Sequence, residues 1–233
     1  MRSPLDYPWD VATAAFVVRA DGVTSGSAPA AADAVAIVAA GSNASPTRLR
    51  EKLGPQLDGR AITGARCVVE GWAPVYSAHF TAYGALPATL VREPGARAEL
   101  ICLHVPAALL PALHLSEALG RNYGFHRLED GAVRDPAGCV VEAPHAYLSL
   151  HGVLLLDGAP RRLAVFAVDG STWAAASERE VMEAVRRLVA PALGLDELVA
   201  RLVDDGAFRA AKTRELGNRH ARALDARGLY RAD

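Results

Sequence analysis

Residues 34–43, AVAIVAAGSN, combine a short apolar run with a glycine turn. Small and apolar residues followed by Gly-Ser-Asn predict a buried strand that ends in a tight turn. Ser45 and Pro46 then fit the N-cap and first position of a helix, on which Leu49 and Leu53 would share one face. Such a strand–turn–helix corner exposes backbone N–H groups that can bind a carboxylate or a developing oxyanion. The same pattern is also typical of an ordinary structural corner.

The bulk composition is that of a globular protein. The chain has 233 residues, 51% apolar and 22% charged, with a net charge of −1. This length fits one domain, or one domain with an appended lobe. A nearly neutral chain gives no field that would attract nucleic acid or an anionic membrane, so neither partner is expected. The abundance of alanine and arginine over lysine is typical of a GC-rich genome and suggests a bacterial origin.

The sequence also predicts the compartment. Residues 1–10 are polar and interrupted by proline, which is unlike a signal peptide. No apolar run approaches the roughly 18 residues of a membrane span. Cys67, Cys102 and Cys139 form no CxxC pair, so free thiols are expected. We therefore expect a soluble cytoplasmic protein.

The pattern of predicted elements indicates an α+β fold. Many short strands with few helices between them favour a small mixed or antiparallel β-barrel with flanking helices. Turn signals, including Glu93-Pro94-Gly95, separate these strands. From residue 172 the chain becomes helical, beginning with a capping box at Ser177 and Glu180. The predicted division is a barrel domain with an N-terminal extension over residues 1–171 and a helical C-terminal extension over 172–233.

Several familiar sites have no motif in this sequence. The opening strand is not followed by G-x-G-x-x-G, and the chain contains no P-loop, G-x-S-x-G or H-E-x-x-H motif. These patterns give no support for a nucleotide, a serine nucleophile or a metal. No cofactor and no metal are expected.

Five short elements follow one another over about residues 34–130: Gly41-Ser42-Asn43 with Arg48-Leu49, Gly71-Trp72, Gly84 to Thr89, Pro94-Gly95, and Leu115 to Gly120 with Tyr123. Their order resembles that of the gamma-glutamylcyclotransferase-like family. That family is a compact β-barrel with flanking helices, whose first buried strand ends in a Tyr-Gly-Ser-Asn-Leu loop. Three departures stand out: Ala40 and Ala44 occupy the positions of the loop tyrosine and leucine, and Leu119 occupies the position of the family's carboxylate, two residues after Glu117.

The resemblance implies an activity. Such an enzyme cleaves a γ-glutamyl amine or related small amide by intramolecular cyclisation and releases 5-oxoproline. One carboxylate with a raised pKa acts as general acid and base, and backbone N–H groups of the loop hold the developing negative charge. The resemblance assigns Glu117 as the acid/base, Gly41, Ser42 and Asn43 as the substrate-binding loop, and Tyr76, His79, Tyr83 and Tyr123 as residues that line the substrate cavity.

Two alternatives stay open. A barrel of this type could bind a small carboxylated ligand or a protein partner without catalysis. The basic residues of 207–231 could instead dock a partner or nucleic acid, although a solvated helix face also explains them. The expected partner of the leading hypothesis is a small molecule with a γ-glutamyl or similar carboxylate group. A homodimer is left open.

Overall fold

The computed structural model describes residues 2–230, which form five α-helices and fourteen strands. The helices are α1 (Pro46–Leu53), α2 (Leu110–Ser116), α3 (Glu178–Val189), α4 (Leu195–Asp204) and α5 (Gly206–Arg219). The strands are β1 (Phe16–Val18), β2 (Val23–Ser25), β3 (Ala34–Ala39), β4 (Ile62–Tyr76), β5 (Ala88–Pro106), β6 (Tyr123–Arg127), β7 (Val133–Arg134), β8 (His145–Ser149), β9 (Val153–Leu156), β10 (Ala159–Pro160), β11 (Arg162–Leu163), β12 (Val168–Asp169), β13 (Ala175–Ala176) and β14 (Ala221–Arg222).

One large, mostly antiparallel sheet dominates this α+β fold. Its strands run in the order β13-β11-β4-β5-β3-β8-β6, with β1, β7 and β12 added along β4 and β5. Only the pairs β3–β8 and β11–β13 are parallel among the described strands. A second, smaller sheet has the order β10-β9-β14. Strand β3, which leads into the Gly-Ser-Asn turn, therefore lies inside the large sheet between β5 and β8.

The predicted closed barrel is wrong, because the sheet is open. Within residues 2–230, the end strands β13 and β6 do not pair with each other. The sheet is built instead on two long strands, β4 with 15 residues and β5 with 19. Gly71 and Gly95, at φ values of +74° and +88°, let these strands bend without ending, and the register shifts between Glu70 and Trp72. The predicted turn at 93–95 therefore lies inside β5.

The opening strand–turn–helix corner forms as predicted. Ser45 caps α1 by accepting a hydrogen bond from the Arg48 backbone N–H at 3.2 Å, and Pro46 is the first helical residue. Leu49 and Leu53 are fully buried on the inner face of the helix. The helix is thus anchored directly after the turn, with Arg48 and Lys52 on another face.

The C-terminal helices share the main hydrophobic core with the large sheet. The predicted capping box is present, because Ser177 and Glu180 exchange hydrogen bonds at the start of α3. Val181, Met182 and Val185 of α3 are fully buried in the same cluster as the strand residues. Residues 231–233 of the predicted extension lie outside the described part of the chain.

Two sequence expectations concern membrane-spanning helices and the state of the cysteines. None of the helices in the described part of the chain is long and apolar enough to cross a membrane. The three cysteines are free thiols, with Cys67 and Cys102 buried and Cys139 exposed.

Candidate active site

The Gly-Ser-Asn turn opens onto a cavity of about 380 Å³. Residues 42–44 form a single 3-10 turn between β3 and α1, and Ser42 and Asn43 are both buried. Seven of the eight residues predicted for the site line this one cavity: Gly41, Ser42, Asn43, His79, Tyr83, Glu117 and Tyr123. The structure therefore brings the loop, the predicted acid/base and most of the predicted lining together.

Tyr76 is the predicted residue that lies elsewhere. It is fully buried in β4, and its hydroxyl donates to the backbone carbonyl of Ala176 at 3.0 Å. It is absent from the described lining of the cavity. Tyr76 reaches instead toward β13, which contains Ala176.

Glu117 lies at the C-terminal end of α2 and turns toward the loop. The chain leaves the helix through Ala118, which has a positive φ of +50°. Only 13% of the Glu117 side chain is exposed. Its Oε1 atom accepts hydrogen bonds from Asn43 Nδ2 at 3.3 Å, Lys52 Nζ at 2.8 Å and Ser116 Oγ at 3.4 Å. All three contacts use Oε1, and Oε2 has no hydrogen-bond partner among residues 2–230.

Lys52 ties the loop to Glu117. Its ammonium donates to Ser42 Oγ at 3.1 Å and to Asn43 Oδ1 at 2.7 Å, besides the Glu117 carboxylate. The three donors of an ammonium group therefore have three acceptors, and only 14% of the side chain is exposed. This arrangement fixes the two loop side chains and the carboxylate relative to one another.

Tyr7 reaches the loop from the N-terminal segment. Its hydroxyl oxygen accepts hydrogen bonds from the backbone N–H groups of Ser42 at 3.3 Å and Ala88 at 3.0 Å. The side chain is 5% exposed and lines the cavity. The Ser42 N–H, one of the loop donors predicted to face the substrate, is therefore already used within the protein.

A buried polar cluster lies behind His79, which lines the cavity. His79 Nδ1 lies 2.7 Å from Ser77 Oγ, which in turn lies 2.6 Å from Ser149 Oγ. The His79 ring stacks on His151 at 4.3 Å between centroids. Burial, with the neighbouring His151, lowers the pKa of His79 to about 3, so this imidazole is neutral at physiological pH.

Two tyrosines of the cavity lining, Tyr83 and Tyr123, keep their hydroxyl protons. Burial raises the pKa of Tyr83 and of Tyr123 well above the ordinary value, with nearby charge adding to the effect. The Tyr123 hydroxyl donates to the Ala88 carbonyl oxygen at 3.1 Å. Both tyrosines are therefore neutral phenols rather than phenolates near pH 7, and the Tyr123 proton is already hydrogen-bonded to Ala88.

Arg48 supplies a cationic rim. Its guanidinium lies over the Trp9 and Tyr83 rings, at 5.0 and 5.8 Å from their centroids. One terminal nitrogen pairs with Glu51, whereas Nε is buried and has no hydrogen-bond partner in residues 2–230. The guanidinium therefore adds positive charge to the cavity wall, while its Nε is covered by the protein.

Sequence analysis missed Tyr7, Arg48 and Lys52 as site residues. The signal for the two cations was present, because Arg48 and Lys52 are four residues apart on the helix that follows the loop and so share one face. Tyr7 had no such signal. It is 35 residues from Ser42 in sequence, and only the tertiary fold brings them together.

The fold and site together define an α+β protein with an open, mostly antiparallel sheet and one polar-lined cavity at the end of β3. No protein-family model and no curated protein sequence matches the chain. Within residues 2–230, no group of three or more His, Cys, Asp and Glu side chains is arranged to hold a metal ion.

Three solved structures resemble part of the chain. The uncharacterized protein loc79017 from Homo sapiens has 15% identity and a TM-score of 0.41, covering 50% of this chain and 67% of that one. A gamma-glutamyl cyclotransferase has 16% identity and a TM-score of 0.40, covering 50% and 66%. YkqA from Bacillus subtilis has 13% identity and a TM-score of 0.42, covering 82% and 68%. At TM-scores below 0.5, these likenesses carry no argument about function.

Proposed function

We propose that this chain is a cyclotransferase similar to the gamma-glutamylcyclotransferase-like family. It cleaves a γ-glutamyl amine or related small amide into 5-oxoproline and a free amine. The observation that carries the proposal is the position of Glu117, whose carboxylate is hydrogen-bonded to Asn43 and lines the same cavity as the Gly-Ser-Asn loop. Leu119 occupies the family's carboxylate position in the sequence, and Glu117 supplies a carboxylate to the loop from two residues earlier.

The unpaired oxygen of Glu117 supports its role as the base. Lys52, Asn43 and Ser116 all contact Oε1, which leaves Oε2 available to a ligand. Oε2 takes a proton from the substrate's α-ammonium, and the resulting amine attacks its own γ-carbonyl carbon. A new C–N bond closes the ring. Because this attack is intramolecular, holding the glutamyl chain folded supplies much of the acceleration.

The second half of the reaction uses the same carboxyl group. The tetrahedral intermediate carries negative charge on the former carbonyl oxygen, which hydrogen-bond donors in the cavity stabilise. Protonated Glu117 returns its proton to the leaving nitrogen, and the original amide C–N bond breaks as the carbonyl re-forms. The ring nitrogen still carries one extra proton from the attacking amine, and it passes this proton to the freed Glu117 carboxylate and on to water. 5-Oxoproline and the amine then depart, and all bonds and protons are accounted for by the substrate, Glu117 and water.

The charges of the cavity support an anionic substrate. Arg48, Lys52 and Arg121 line it against one carboxylate, Glu117. Lys52 is already bonded to the loop and to Glu117, so Arg48 and Arg121 are the remaining cationic groups of the lining for the substrate's α-carboxylate. A volume of about 380 Å³ is at the small end of ligand pockets and fits a glutamyl-sized molecule.

The same cationic lining also favours the second candidate, a protein that binds a small carboxylated ligand without catalysis. In that case the Lys52–Glu117 pair would be purely structural. The two candidates differ in whether bound substrate is converted and in whether the loss of the Glu117 charge affects that conversion.

A 5-oxoproline release assay over a panel of γ-glutamyl amines tests the proposal. We expect turnover of at least one member, and a fall in kcat of about 100-fold or more in Glu117→Gln. Glu142→Gln is the matched control, because Glu142 is an exposed glutamate outside the cavity. Binding without turnover across the panel would favour the non-catalytic candidate. Turnover unaffected by Glu117→Gln would remove this residue from the mechanism.

A further inference from the structure

The hydroxyl of Tyr7 has an unusual set of partners within the cavity. Its oxygen accepts two backbone hydrogen bonds, from the Ser42 and Ala88 N–H groups. A phenol has one O–H donor and two acceptor positions, so both acceptor positions are occupied. No acceptor for the hydroxyl proton is present among residues 2–230. The remaining capacity of this group is to donate one hydrogen bond, and Tyr7 lines the cavity.

The packing around Tyr7 keeps this donor in one position. The Tyr7 ring is stacked with the Tyr83 ring, at 6.4 Å between centroids. It packs edge to face with the Trp9 ring, at 5.4 Å between centroids. Gly41 leaves room for the hydroxyl, because a Cβ there would overlap the Tyr7 oxygen. The two backbone bonds then fix the oxygen at the junction of the loop and the start of β5. A donor held in place by these contacts does not need to reorganise when charge develops on a ligand.

The chemical state of the phenol suits donation. Burial raises the pKa of Tyr7 well above its ordinary value, so the O–H proton is retained at neutral pH. The two N–H groups that point at the oxygen withdraw electron density from it, and hydrogen bonds arranged in such chains strengthen one another.

We infer that Tyr7 is a catalytic residue whose O–H donates to the γ-carbonyl oxygen of the substrate, where the oxyanion of the ring-closing step develops. This inference rests on the proposed cyclotransferase function. It replaces the Ser42 backbone N–H as the direct donor and gives that N–H a different task, which is to orient and polarise the tyrosine. It also gives the N-terminal segment a role in the site. Tyr7 brings a phenol hydroxyl to the loop, in which Ala40 replaces the tyrosine of the family.

Kinetics of Tyr7→Phe beside Tyr230→Phe test the inference, since Tyr230 is a tyrosine outside the cavity. Loss of a donor to the oxyanion predicts a fall in kcat of about 100-fold with KM changed less than about threefold. A merely structural role would raise KM or leave both constants unchanged. A folded Tyr7→Phe variant with wild-type kcat overturns the inference and leaves the proposed function intact.

Binding of 5-oxoproline separates failure of the proposed function from failure of the Tyr7 inference, because its lactam carbonyl oxygen is the former γ-carbonyl oxygen. If the wild type binds 5-oxoproline but converts no γ-glutamyl amine, the proposed function fails. In that event, if Tyr7→Phe binds 5-oxoproline about tenfold more weakly than the wild type, Tyr7 still donates a hydrogen bond to the ligand. Equal affinity for 5-oxoproline overturns the role of Tyr7. If Tyr7→Phe does not fold, a crystal structure of the wild type with 5-oxoproline decides. We expect the lactam carbonyl oxygen at about 2.5–3.0 Å from the Tyr7 hydroxyl, and a lactam carbonyl bound elsewhere overturns the inference.

Discussion

Lys52 Nζ lies 2.8 Å from Glu117 Oε1, and this ion pair joins the helix after the Gly-Ser-Asn turn to the end of α2. Both side chains are largely buried, at 14% and 13% exposed. The pair therefore differs from the many surface ion pairs of this chain, because water screens it less. It holds the carboxylate that we propose as the acid/base against the loop that binds the substrate.

A double-mutant cycle measures this pair. Lys52→Met leaves a mostly buried carboxylate without its cation, so we expect a loss of about 2 kcal/mol in the free energy of unfolding. Adding Glu117→Gln should recover part of that loss, with a coupling energy of about 1–2 kcal/mol from urea unfolding. The exposed pair Arg127–Asp130, with side chains 56% and 76% exposed, provides the control cycle. Equal coupling in the two cycles would contradict the structural importance of the Lys52–Glu117 pair.

Gly41→Ala tests the contact between the loop and Tyr7. The φ of Gly41, −148°, lies outside the left-handed region that favours glycine, and the space around its Cα excludes a larger residue. A Cβ would overlap the Tyr7 hydroxyl and approach Ala88 Cβ at 3.1 Å. We expect a loss of about 1–3 kcal/mol in the free energy of unfolding.

Two further variants complete the Gly41 test. Gly22→Ala is the control, because a Cβ there meets no atom within 4 Å. Removing the hydroxyl should relieve the overlap, so Tyr7→Phe/Gly41→Ala is expected to lose less stability than the sum of the single variants. Strict additivity would show that Tyr7 moves freely away from the new methyl group.

His79 predicts a dependence of stability on pH. Its folded pKa is lowered to about 3, whereas the unfolded pKa is about 6.5. Between these values the unfolded chain binds the proton and the folded chain does not, so stability falls as the pH drops below about 6.5. The slope for this one group is about 1.4 kcal/mol per pH unit.

His79→Asn removes that slope. In urea unfolding we expect the variant to be less stable than the wild type at pH 7.5, because it loses packing against His151. The difference in the free energy of unfolding between wild type and variant should become smaller as the pH is lowered toward 5. A gap that stays constant over this range would mean that His79 accepts a proton in the folded state as readily as in the unfolded one.

Glu178 predicts the opposite trend. This carboxyl group is 2% exposed, Oε1 accepts the Leu86 N–H at 2.7 Å, and Oε2 has no partner within the described residues. Burial raises its pKa well above the ordinary value, so the folded chain retains a proton that the unfolded chain releases. Stability is therefore lost as the pH rises above about 4.3, the unfolded value.

Glu178→Gln keeps the acceptor for Leu86 and removes the titration. We expect it to raise the melting temperature relative to the wild type at pH 8, and to give a smaller gain at pH 5.5. Thermal unfolding at the two pH values checks this. A variant that is destabilised equally at both would show that the carboxylate is charged and compensated in the folded protein.

Local signals predicted the corner at residues 34–53 and the start of α3, because a buried apolar run, Ser45, Pro46 and the Ser177–Glu180 box act within one or two turns of chain. The same local rules failed for the sheet. Glycine at 71 and Pro-Gly at 94–95 ordinarily end strands, but long-range pairing between β4 and β5 outweighs that preference and turns them into bends.

In the candidate site too, local motifs predicted some features, and long-range contacts decide the others. The loop and Glu117 were found from short motifs, whereas the contacts that orient them come from residues distant in sequence. Tyr7 approaches Ser42 across 35 positions and Lys52 approaches Glu117 across 65. No periodicity or motif encodes such pairs, since they depend on how the N-terminal segment, α1 and α2 pack around the cavity.

The most direct test of the cyclotransferase proposal is the identity of the product in ¹⁸O-labelled water, followed by mass spectrometry and NMR. Because ring closure uses the substrate's own amine, we predict 5-oxoproline without ¹⁸O, released in equal amount with the amine and not formed by Glu117→Gln. Glutamate that carries ¹⁸O would show hydrolysis, and unchanged γ-glutamyl amines would show no reaction. Either result would contradict the account.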